Sequence, residues 1–331
     1  MKFGKIDNII ILGGSYISLK LLEFLKTKNL KFYFFTSIRL LNDNMPNNLT
    51  LKQNLNNLKI KYLSTENINK NKKLYRLFDK NSLVLGLGYN WKIGDGLLNL
   101  FKNKIVDFMG IPMPTYRGGA HYSWMILNMS FKGGCFIQNV NKNTTQGISD
   151  SNFYYDHLNY QYPKKLRLPK DFFNFSIKRE LSFLKNFLNK IKQNKNFKLK
   201  KLDSKDSTYF PRLQTMTNGF IDWGLEGEEI FRFINAFSDP YKGASTFLGK
   251  KRVFIKNTYF KKKKGMHSFA SGLILNKTKN FVYIAVKNGI IKTNDISDSK
   301  GKLLLKKVEV GNRFITFKNF LENSKNFRIN I

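Results

Sequence analysis

Few side chains in this sequence can do acid–base or nucleophilic chemistry, and their types narrow what that chemistry can be. There are three histidines, His121, His157 and His267, and a single cysteine, Cys135. That inventory excludes an internal disulfide framework and speaks against a Cys/His zinc centre, so no metal is expected. His121 follows Arg117 by four positions, beside Tyr122 and Trp124. With Asp107 as an orienting carboxylate it could form a His/Asp pair able to move a proton, against the plainer reading of a structural histidine at a helix start. His157 and His267 read as structural or exposed. Gly13 and Gly14 follow the apolar run Ile9–Leu12. They allow close backbone approach at a helix N-terminus, where an anion can sit, but the full GxGxxG fingerprint is absent, which favours simple strand-to-helix packing. Lys261–Lys264 is the one concentrated basic run, and its place between Phe260 and Gly265 suggests a surface loop.

The elements that must position these residues follow from hydrophobic period. Ile9–Leu12, the glycine pair, then Ile17, Leu21, Leu22 and Leu25 at helical spacing read as strand, turn and helix, and Lys31–Thr36 completes a βαβ unit that favours a parallel sheet. Asn42–Asn71 reads as loops with a short helix. Ser82–Leu87 is a further buried strand ending at Gly88, Tyr89, Asn90 and Trp91, and Ile105–Phe108 is another, followed by Gly110, Pro112 and Pro114, which demand an irregular loop. Ligands of open α/β sheets bind at the carboxyl ends of the strands, onto which both loops open. A helix is expected over Tyr122–Met129, a strand over Gly134–Val140, and a long amphipathic helix over Phe172–Ile191, with Phe175, Leu181, Leu184, Phe187, Leu188 and Ile191 as its core stripe.

The polar, Lys-rich stretch 194–207 has no periodicity, which places a domain boundary near residue 200. After a helix over Glu226–Phe237 come short alternating segments, Arg252–Lys256, Ser271–Leu275, Phe281–Val286, Gly289–Lys292, Leu303–Val308 and Arg313–Thr316, which argue for a small OB-like antiparallel barrel. The expected architecture is therefore α/β, a Rossmann-like, mostly parallel sheet over residues 1–200 and a β-rich barrel domain over 201–331. With 331 residues, two cores are the default. The composition, 42% hydrophobic with 31 Phe, excludes a disordered basic tail. Fifty-eight Lys and Arg against 22 Asp and Glu give a net charge of +36, which suits a polyanionic partner such as RNA, a nucleotide or an anionic surface. The competing reading is a solvated surface, because Lys, Asn, Ile and Phe are abundant along the whole chain. No long uncharged stretch reads as a membrane span or signal peptide, and the lone cysteine suits a cytoplasmic location.

The loop Pro112-Met113-Pro114-Thr115-Tyr116-Arg117-Gly118-Gly119 resembles the folate-side loop of the 10-formyltetrahydrofolate-dependent formyltransferases, which include methionyl-tRNA formyltransferase and the sugar-nucleotide N-formyltransferases. Tyr209–Arg212, Gly219–Trp223 and Phe233–Ala244 are similar to the family's linker and second-domain entry, and Val310–Phe314 with Phe320 and Leu321 to its close. The resemblance runs over nearly the whole chain. It implies transfer of a formyl group from 10-formyltetrahydrofolate to an amine, on methionyl-tRNA or on an amino sugar of a nucleotide, with Gly88, Tyr89, Pro112, Met113, Pro114, Tyr116, Arg117 and Gly118 on the folate side.

The reaction needs an amine freed of its proton, a stabilised oxyanion and a protonated leaving nitrogen. Family members meet these needs with an Asn, a His and an Asp, and the matching positions here are Asp107, Met109 and Thr145. All three are replaced. Met109 has no donor, Thr145 carries no charge, and Asp107 could donate to an oxyanion only as a neutral acid with a raised pKa. Losing one oxyanion donor costs roughly 10²–10³ in rate. The resemblance thus leaves three readings open: a formyltransferase, with His121 as a possible substitute base; a catalytically degenerate homologue that binds folate, nucleotide or RNA; and an enzyme of altered acyl chemistry.

Overall fold

The computed structural model describes the chain except at residues 29, 78, 80, 113–114, 143–152, 203–204, 206 and 328–331. An eight-stranded sheet runs in the order β3-β2-β1-β4-β5-β7-β8-β9. Its strands are β1 (Asn8–Gly13), β2 (Phe32–Thr36), β3 (Leu63–Ser64), β4 (Ser82–Leu87), β5 (Ile105–Met109), β7 (Lys132–Asn139), β8 (Phe153–Gln161) and β9 (Lys200–Lys201), while β6 (Tyr116–Gly118) pairs outside it with β10 (Thr208–Phe210). The strands β1 to β5 are parallel, and β7, β8 and β9 add on antiparallel. The fold is thus the expected mixed α/β, mostly parallel sheet.

Strand alternation feeds two cores, one on each face. Ile11, Leu83, Leu85, Leu87, Val106 and Phe108 point to one, and Ile10, Leu12, Val84 and Ile105 to the other. A central parallel strand covered on both faces needs an unbroken apolar run, which is what Ile9–Leu12 supplies. The helix Tyr16–Thr27 and the long helix Pro169–Lys192 cover the first face with Leu21, Leu22, Leu25, Leu184, Phe187 and Ile191. Within Asn42–Asn71 the expected short helix is Leu51–Asn57, started by a Thr50/Gln53 capping box.

Toward the C-terminus lie two four-stranded antiparallel sheets, β17-β12-β11-β18 and β13-β16-β15-β14. They are built from β11 (Ala244–Leu248), β12 (Lys251–Lys256), β13 (Tyr259–Lys262), β14 (Ile274–Lys277), β15 (Val282–Val286), β16 (Gly289–Thr293), β17 (Asp295–Ser297) and β18 (Phe314–Ile315). Two expectations are corrected here. Leu303–Val308 is not a strand: it contains a 3-10 turn at Leu305–Lys307, with Leu304 buried and Leu303 exposed. Nor is Lys261–Lys264 all loop, since Lys261 and Lys262 pair with Ile290 and Gly289. An exposed strand face tolerates lysines as readily as a loop does, so charge alone could not tell the two apart.

Backbone contacts divide the chain into two compact units, one of residues 1–117, 132–161 and 176–208, the other of 118–131, 162–175 and 209–331. Two stretches before residue 200 therefore belong with the second unit. Within it Ser123 Oγ donates to Ala236 O at 2.7 Å, Trp124 Nε1 to Pro211 O at 2.8 Å and Lys170 N to Asp239 O at 2.9 Å.

Candidate active site

The carboxyl ends of β1, β4 and β5 meet at one edge of the large sheet. Ser15, just after β1, donates its hydroxyl to Leu87 O at 2.7 Å, tying the first turn to the end of β4. Gly88 follows with φ +73°, and a Cβ there would come within 2.9 Å of Ser15 Cβ, so only glycine suits the position. Next to it, Tyr89 turns back over the sheet. In the register Gly86 pairs with Asp107, and Asp107 with Gln138, so all three share one face. A Cβ on Gly86 would lie 2.4 Å from Tyr89 Cε1 and 2.6 Å from Asp107 Oδ1. The missing side chain is the space in which the phenol ring and the carboxyl meet.

Asp107 is buried, and Gln138 Nε2 donates to its Oδ2 at 3.3 Å. Burial pushes its carboxyl up to about 7, against the opposing pull of hydrogen bonds from Gln138 and the Phe108 backbone. Tyr89 is pushed well above the usual phenol range by burial and by the neighbouring Asp107. Gln138 Oε1 is buried with no hydrogen-bond partner among the described residues. Met109, two residues along β5, is partly exposed at the strand end, its backbone opposite Phe136. Alternation puts it on the same face as Asp107.

The loop beyond β5 holds the remaining residues. Pro112 and Thr115 line a groove of about 390 Å³ with Lys132, Gly133, Asn159 and Tyr160. Tyr116 is buried, which raises its hydroxyl strongly. Arg117 Nε is buried without a partner among the described residues. Gly118 belongs to the second unit, with φ +105° and no room for a side chain against Phe210 O. Met113, Pro114 and Thr145 lie outside the described residues. His121 opens the helix His121–Leu127 in the second unit, its ring 5.1 Å from Tyr122 edge to face, and burial lowers its pKa to about 4. The imidazole is neutral at pH 7. The structure thus brings together Gly88, Tyr89, Asp107 and Met109 within the first unit, while His121 and Gly118 fall in the second.

Three residues here were not singled out from sequence. Gly86 carried a signal, a glycine inside an otherwise apolar strand, which marks close approach. Glu180 carried another, since it interrupts the apolar stripe Ile177, Leu181, Leu184. It is 6% exposed, accepts from Tyr160 Oη at 3.3 Å, and lies 3.0 Å from where a Cβ of Gly110 would be; burial pushes its carboxyl to about 7. Gln138 carried none.

Comparison with known proteins bears on what this edge is for. Residues 215–308 match the formyl transferase C-terminal domain. Over 231 residues the chain is 26% identical to the bifunctional polymyxin resistance protein ArnA of Wigglesworthia glossinidia brevipalpis, covering 68% of this chain. Both matches are to formyltransferase sequences. The chain spans 31% of the length of that ArnA relative. The formyltransferase-family fold extends over most of the chain: WlaRD, a sugar 3N-formyl transferase crystallised with dTDP and 5-N-formyl-THF, superposes with a TM-score of 0.61 at 16% identity, covering 91% of this chain and all of that one. The N-formyltransferase of Helicobacter canadensis, in complex with folinic acid and dTDP-3-aminofucose, gives 0.61 at 16% identity, over 88% of this chain and 99% of that one. No helix among the described residues is long and apolar enough to cross a membrane.

Proposed function

We propose that this protein transfers a formyl group from 10-formyltetrahydrofolate to the amine of a nucleotide-linked amino sugar. The observation that carries this reading is the near full-length likeness to structures holding a reduced formyl-folate and a dTDP ligand. The edge itself suits a folate: Gly88 leaves the backbone open beside Ser15, and the unpaired acceptor Gln138 Oε1 beside a near-neutral carboxyl suits a heterocycle rich in N–H donors. 10-Formyltetrahydrofolate supplies the activated formyl group. Among the described residues, this reading gives the active part to Asp107. As a neutral acid it donates to the oxygen that gains charge, in place of the amide found in relatives, and below about pH 7 burial keeps it in that form.

The test is turnover of labelled 10-formyltetrahydrofolate with a dTDP-amino sugar in one arm and methionyl-tRNA in the other. Formylated sugar nucleotide is the expected product. Formylation of the tRNA alone would name the other acceptor, and no transfer in either arm would overturn the reading. Met109 favours a second reading, a homologue that binds folate or nucleotide without turnover, because a thioether neither donates nor exchanges a proton at the position of the family's histidine. Folate binding by calorimetry with no formyl transfer is its signature.

A further inference from the structure

A cavity of about 160 Å³ in the second unit is used by none of the residues above. It is close in size to the roughly 150 Å³ hole that holds benzene in an engineered protein core. Its apolar wall is aromatic and braced. Phe131 and Phe172 stack at 6.2 Å and 25°, Tyr162 packs on Phe172 at 4.7 Å, and Phe231 adds a third ring to the lining.

The polar part of the lining is cationic: Lys164, Arg167 and Arg232 stand against one carboxylate, Glu228. Arg167 is held by stacking on Tyr259 at 4.4 Å, which leaves its N–H edge for a ligand. Among the described residues none of the three cations is committed to an ion pair. Asn235 also lines the cavity and is 1% exposed. Its Oδ1 accepts from Thr258 N at 3.2 Å and Thr258 Oγ1 at 3.0 Å, which fixes the amide's orientation. Its Nδ2 is then left buried with no partner among the described residues. An unpaired buried donor is unfavourable, and a ligand oxygen relieves it.

We propose that this cavity is a second binding site, for a small organic anion with a ring-sized apolar body. The body lies against Phe131, Phe172 and Phe231, and the carboxylate faces Arg167, Arg232, Lys164 and Asn235 Nδ2. The site shares no lining residue with the formyl-transfer edge and stands whether or not transfer occurs.

Benzoate titrated into the full chain by calorimetry tests the proposal, with benzamidine and benzyl alcohol as the cationic and neutral counterparts of the same ring. Benzoate should bind at least tenfold tighter than either. Arg232→Gln should weaken it at least tenfold, and Ile126→Phe, which fills the cavity and leaves its charges alone, should abolish it. Equal binding of all three rings, benzoate affinity unchanged in Arg232→Gln, or no detectable benzoate binding at millimolar concentration would each overturn the proposal. If Ile126→Phe does not fold, Arg232→Gln, at a partly exposed surface position, decides it alone.

Discussion

At the scale of single residues, the proposed transfer rests on Asp107. Its carboxyl titrates near 7 because it is buried, so the acid that can donate a hydrogen bond is lost as pH rises through that value. Formyl transfer should therefore decline above about pH 7, and Asp107→Asn, whose amide donates at any pH, should flatten the profile. A decline that persists in Asp107→Asn would place the titrating group elsewhere. Met109→His should raise kcat by about 10² if an acid–base group is what the site lacks, within the usual range for such catalysis. An unchanged kcat would show that the departure from the family is compensated. Gly86→Ala should be as damaging as losing a catalytic group, since its methyl group would displace Tyr89 or Asp107. Asp107 and Met109 are expected as site positions from the loop that follows them. The environment of Asp107 was not legible in the sequence, because a raised pKa depends on what β4 and β7 place around it.

At the scale of elements, the strands and the long helix followed from period, while their exact neighbours did not. The apolar runs of β1 and β4 declare buried strands, and the stripe on Pro169–Lys192 declares a covered helix face. Phe187, fully buried against Phe3 and Phe197 at 6.0 and 5.3 Å, belongs to that stripe. Phe187→Ala should cost about 3–5 kcal/mol in chemical denaturation. Glu180 lies in the same stripe, and its sign is opposite to that of a salt-bridged carboxylate. Its folded pKa is raised above the unfolded value, so between about pH 4.5 and 7 the folded state holds a proton that the unfolded state has released. Its contribution to stability accordingly falls as pH rises through that window, by about 1.4 kcal/mol per pH unit. Glu180→Gln should remove that slope, and a stability profile parallel to that of the unaltered protein would show that the carboxyl is not held neutral. β8 escaped sequence reading because its period is broken: Tyr155 is buried while His157, two residues on, is exposed, across a register shift that pairs Ile137 with Asp156 and Gln138 with Tyr154.

For the whole molecule, the interleaving of segments carries a prediction that a linear boundary does not. A fragment of residues 201–331 lacks Ser123, Trp124 and Phe172, which the second unit uses to hold Ala236 and Pro211 and to build its aromatic wall. It should show a shallow, weakly cooperative thermal transition by circular dichroism; a sharp one would mean that the two β-sheets suffice. The net charge of +36 did not by itself choose a partner, since it is spread over the chain. What the sequence by itself determined was the class of fold, the positions of the candidate edge and the formyltransferase resemblance, because hydrophobic period and local motifs are written in consecutive residues. The tertiary structure decided that Asp107 is a near-neutral acid over Gly86, that Glu180 is buried against Gly110, and that helix segments before residue 200 complete the second unit and its cavity. Those depend on burial and pairing between residues distant along the chain, and desolvation is a property of the surroundings, which no residue carries in its own name.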